Sequence, residues 1–102
     1  MGRSQKKVCS IPYYRNDQYD RLREVSIDKE TFSISYDEML SITESKHKEM
    51  EKKGFLVVKI DVEIDELVEW CNLNCVKINP ESRTKFALYK LKEMISKNLI
   101  SI

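Results

Sequence analysis

The chain has 102 residues, 41% of them hydrophobic and 34% charged, with a formal net charge of +1 and only two glycines and two prolines. That length suits one domain, 1–102, with a core that needs no disulfide or metal to close it. The composition excludes collagen-like, loop-dominated, low-complexity and disordered classes and favours long regular elements.

The small net charge conceals segregation: residues 1–34 carry +2, residues 35–76 carry −5 and residues 77–102 carry +4. Such asymmetry speaks of surfaces and partners rather than of fold. The longest apolar run, Phe55-Leu56-Val57-Val58, is far short of the ~20 residues a spanning helix needs. The start has the charge of a leader, but Val8 to Tyr13 is no apolar core, and Lys6 stands where a myristoylation pattern wants Ser or Thr. With three cysteines, an odd number, the chain reads as cytoplasmic, with no membrane partner.

Residues 1–34 are the least legible, an arm or short strands. Val8, Ile11 and Tyr13 suit a short strand, and Asp17 suits a cap for a helical turn through Tyr19, Leu22 and Val25. Val25-Ser26-Ile27 and Phe32-Ser33-Ile34 fit either a hairpin or a helix-initiating turn.

Ser35-Tyr36-Asp37-Glu38 then forms a capping box, in which hydroxyl and carboxylate satisfy each other's orphan amides. Tyr36, Met39, Leu40, Thr43, His47 and Met50 share a face, Lys52-Lys53 complements the helix dipole, and Gly54 stops the helix. These features predict a helix over 36–53. The β-branched stretch 55–62 predicts a central or half-covered strand. Helical spacing returns over 65–74 with Leu67, Val68, Trp70 and Cys71 inward, followed by an extended link, Val76-Lys77-Ile78. Asn79-Pro80-Glu81 starts a helix over 80–97, with Ala87, Leu88, Leu91, Met94 and Ile95 inward and Phe86 and Tyr89 to the flank. The expected fold is a small, helix-rich α+β domain with a short sheet.

Candidate chemistry is sparse. Cys9, His47, Cys71 and Cys75 could make a Cys₃His zinc set only if distant segments converge, and buried cysteine is an ordinary core residue. Asp61, Glu63 and Asp65 resemble the first ligands of a calcium loop, but Glu66 and Asn72 replace its required Gly and Glu. With one histidine, no glycine-rich phosphate loop and no singular carboxylate pair, neither catalysis nor a cofactor is expected.

What remains is binding. Tyr13, Tyr14, Arg15, Tyr19, Arg21 and Arg23 are residue types enriched at protein interfaces, pointing to a non-catalytic module that binds a protein partner as adaptor, regulator or inhibitor. The alternative is nucleic acid, met by Arg3, Lys6, Lys7 and Arg15 or by a helix-turn-helix whose second helix presents Arg83, Lys85 and Lys90. Against that, Lys85 and Lys92 lie nearly opposite Arg83, Lys90 and Lys97, and the acids Asp65, Glu66 and Glu69 would meet phosphates unfavourably.

Overall fold

A computed structural model describes residues 7–100. The elements in order are β1 (Val8–Tyr13), α1 (Asn16–Val25), a 3-10 turn (Lys29–Phe32), α2 (Tyr36–Lys52), β2 (Leu56–Asp61), α3 (Ile64–Leu73) and α4 (Pro80–Ser96). The two strands pair in parallel, with register from Val8 opposite Leu56 to Tyr13 opposite Asp61. Parallel pairing demands a long crossover, which α1, the turn and α2 provide. The result is a helix-rich α+β domain with a two-stranded sheet.

The best-defined helices start where the sequence places strong caps. Glu38 N–H donates to Ser35 Oγ at 3.1 Å, while Ser35 N–H donates back to the Glu38 carboxylate at 3.1 Å. At α4 Ser82 N–H donates to Asn79 Oδ1 (2.8 Å) and Asn79 N–H to Ser82 Oγ (2.9 Å), with Pro80 in the first turn. Beyond α2, Gly54 adopts φ +93°, a left-handed conformation that a Cβ would strain.

Strand alternation sends Pro12, Val58 and Ile60 to one face of the sheet and Ile11, Tyr13 and Lys59 to the other. Ile60 and Val62 enter the main core with Tyr19, Leu22, Ile64, Leu67, Phe86 and Leu91. On the opposite face Tyr13 meets His47 of α2 edge-on, with ring centroids 6.1 Å apart. The expected inner face of α2 is confirmed: Met39 is buried and Tyr36, Leu40, Thr43, His47 and Met50 are half-buried.

Three expectations are corrected. The hairpin reading of residues 25–34 gives way to a 3-10 turn, because Lys29 Nζ binds the carbonyls of Glu24 (2.7 Å) and Ser26 (3.1 Å) at the end of α1 and Phe32 plunges into the core. Phe86 belongs to the core rather than the flank, while Leu88 is 43% exposed. The strand β2, expected as central or half-covered, is not central, since β1 is its sole neighbour among the described residues. No described helix is long and apolar enough to cross a membrane.

Candidate functional site

The arginine–tyrosine set does not make one exposed face. Tyr14 and Tyr19 are core residues, which corrects their expected role at a surface. The Tyr19 phenol is satisfied inside, donating to the carbonyl of Ile34 at 2.7 Å, and the backbone carbonyl of Tyr14 accepts from the Tyr36 hydroxyl at 2.7 Å. Burial pushes the Tyr14 phenol well above its ordinary pKa. Tyr13 lies half-buried against α2.

The arginines of this set meet acids of their own chain. Arg15 spans Asp61 (2.8 Å) and Glu63 (2.7 Å), Arg21 pairs with Asp65, and Arg23 donates to the Phe32 carbonyl (2.7 Å) and reaches Asp20. The acids that resembled a calcium loop therefore serve as partners for the arginines of the α1 region. These pairs are exposed and contribute little stability each.

The nucleic-acid candidates are likewise divided. Arg3 and Lys6 lie outside the described residues; Lys7 and Lys85 are exposed, and Lys85 pairs with Glu81. Lys90 sits against Glu66 at 2.7 Å, which raises its pKa, so acidic and basic segments do meet within one chain. Arg83 is 7% exposed and grips Asp28. A recognition helix needs its first turn turned to the groove of DNA, and here Ser82 and Arg83 face the interior, which corrects the helix-turn-helix placement.

The four side chains weighed for zinc do not assemble. Cys71 is buried, its thiol pushed up by burial, Cys75 is exposed, and His47 faces Tyr13. Among the described residues no three His, Cys, Asp or Glu side chains are placed to hold a metal ion.

Two depressions flank α2. The polar one, about 280 Å³, surrounds a hydrogen-bonded line from Tyr13 Oη to His47 Nδ1 (3.1 Å), with His47 Nε2 3.4 Å from Glu51 and Lys59 over the Tyr13 ring. A Glu–His–Tyr line has the form of a proton relay ending in a phenol. Burial first, then Glu44 and Glu51, push the Tyr13 phenol up, so the line disfavours a nucleophilic phenolate. It fastens α2 to the sheet.

The other depression is an apolar groove of about 300 Å³ along the outer edge of β1. Ile11 and Pro12 form its floor, Met39, Ile42 and Lys46 of α2 form one wall, and Thr84 of α4 stands in the other. The 3-10 turn closes one end with Thr31 and Phe32. Ile42 is 62% exposed, although it lies in a helix whose other outward residues are almost all polar.

The outer edge of β1, which the groove adjoins at Ile11 and Pro12, carries backbone groups unpaired among the described residues. Leu56 N–H donates to the carbonyl of Lys7 (2.8 Å) and Val62 N–H to that of Tyr13 (3.0 Å), so odd-numbered residues of β1 turn their amides towards β2. Val8, Ser10 and Pro12 turn theirs the other way, where no partner meets them among the described residues. Pro12 is tolerated in the strand because the N–H it lacks would point outwards.

The groove is not legible in the sequence, because Ile42 and Lys46 acquire meaning only once β1 pairs on one side alone among the described residues. The fold and groove together define a small α+β domain with an open, apolar-walled strand edge. The chain matches no known family model, no curated protein and no solved structure.

Proposed function

We propose that this protein acts without catalysis, by binding another protein as an adaptor, regulator or inhibitor. The observation that carries this reading is the groove beside β1, where an apolar lining with exposed Ile42 adjoins a strand edge whose backbone groups are unpaired among the described residues. Exposed apolar side chains beside a strand edge are costly unless something covers them. A cytoplasmic setting accompanies the reading, supported by the free thiols Cys9, Cys71 and Cys75.

The nucleic-acid alternative has weaker support, since Arg15 and Lys90 are engaged by carboxylates and Arg83 is buried. The test pairs two measurements. Ile42→Asp is expected to leave the thermal midpoint nearly unchanged while abolishing association with a protein partner purified from the cell of origin. Anisotropy with single-stranded RNA and duplex DNA at about 50 and about 200 mM salt is expected to show no binding. Strong binding that collapses with salt would replace the protein reading by the nucleic-acid one.

A further inference from the structure

Resting on the protein-binding reading, we infer that the occupant of the groove is an extended, acidic segment of another protein, added as a third strand at the outer edge of β1. Three independent features of the edge converge on this.

The first is the backbone. Val8 and Ser10 present both N–H and C=O outwards, and Pro12 presents a carbonyl, with no partner among the described residues. An added strand satisfies these groups in a ladder, which a docked helix cannot do. The second is the spacing of the walls. Successive residues of an added strand would face α2 and α4 alternately, and residues two apart on one face stand about 6–7 Å from each other. Ile42 and Lys46, which both line the groove, are one helical turn apart, about 6 Å. An apolar residue set against Ile42 therefore leaves the next residue on that face within reach of the long Lys46 side chain.

The third is charge. Lys46 lines the groove, is exposed, and joins no ion pair among the described residues. The other charged group in the lining, Arg83, is already held by Asp28. The groove thus offers one uncompensated positive charge, and a carboxylate two residues from an apolar anchor complements it. A second copy of this chain fits less well. Antiparallel self-pairing of β1 about Ser10 sets the Val8 carbonyl against the proline nitrogen of the other copy, and it brings two Lys46 side chains to the same face of the sheet.

The experiment screens a displayed library of random peptides, about ten residues long, against the intact protein and its Ile42→Asp variant. Peptides that bind the intact protein are then resynthesised with N-methyl groups at alternate positions. The expected ligands carry an acidic residue two positions from an apolar one and lose binding on N-methylation. They weaken about tenfold against Lys46→Glu and recover when their acid is replaced by lysine. Ligands that depend on Ile42 but lack the acid, or that tolerate N-methylation in both alternations, overturn strand addition and leave protein binding standing. Absence of any peptide enriched over the Ile42→Asp variant overturns both. A dimer in sedimentation that Ile42→Asp dissolves makes a second copy the occupant and overturns the inference.

Discussion

Arg83 holds Asp28 with two parallel bonds, Nη1 to Oδ1 at 2.8 Å and Nη2 to Oδ2 at 2.6 Å, joining the first turn of α4 to the bend after α1. The same guanidinium donates to Ser26 Oγ at 3.1 Å and lies over the Phe32 ring at 4.8 Å. A planar fork meets a carboxylate in this way, and a lysine would not reproduce it. With side-chain exposures of 8% and 13%, the pair is buried.

Removing one member leaves the other charged and uncompensated. Asp28→Asn and Arg83→Met are each expected to cost about 3 kcal/mol or more in urea unfolding. Replacing both by well-packed neutral residues should cost less than the sum of the two single changes.

The pair also sets a pH dependence. Arg83, hydrogen-bonded to Asp28, holds that carboxyl below the usual carboxylate range. The unfolded chain then takes up the proton more readily, so the contribution is present above about pH 4 and fades as pH falls through the lowered folded value. Acid unfolding followed by Trp70 fluorescence should show a shallower slope below pH 4 in Asp28→Asn than in the parent.

Phe86 and Leu88 test the orientation of α4. Phe86 is 1% exposed and packs edge-to-face on Trp70, with centroids 5.7 Å apart, whereas Leu88 is exposed. Phe86→Ala is expected to cost about 3–5 kcal/mol and Leu88→Ala less than about 0.5 kcal/mol, read from denaturant midpoints at constant slope.

Gly54 isolates a backbone effect. A Cβ added there would meet nothing within 4 Å, so the penalty for Gly54→Ala comes from φ +93° alone. About 1 kcal/mol of destabilisation is expected, and Gly54→Asn should cost less because asparagine tolerates left-handed φ better.

The caps at α2 and α4 are reciprocal pairs, so one side chain supports two amides. Ser35→Ala and Asn79→Ala are each expected to cost about 1 kcal/mol, while glycine at the same positions should recover part of that loss.

What the sequence reveals follows from where the determining interactions lie. The helices at 36–53 and 80–97 were legible to within a residue because Ser35 with Glu38, and Asn79 with Pro80 and Glu81, act locally. The strand at 55–62 was legible from its β-branched run, but its neighbour and the parallel sense were not, since the crossover hides the pairing. Helix α1 offers a weaker signal: Arg15 is its N-cap and no side chain closes it. The region 26–34 misled because its apolar alternation serves a turn held by Lys29 and by the distant Arg83. Tyr14 and Tyr19 read as surface residues for a related reason: the core residues they pack against, and the Ile34 carbonyl that accepts from Tyr19, lie in later segments. The groove was invisible in sequence because an edge exists only after its pairing partner is known.

The parallel pairing of β1 with β2 has a kinetic consequence. Nothing between Tyr13 and Leu56 allows the strands to meet through a short turn, so their union closes a loop that already contains two helices. Closing such a loop loses chain entropy before the ladder returns anything, and it slows folding relative to a bundle built from local contacts. A chain made from its N-terminus also leaves β1 waiting, with both edges bare, until β2 has been synthesised. Strand–strand closure is thus the step at which a ribosome-bound copy is most exposed to the wrong neighbour.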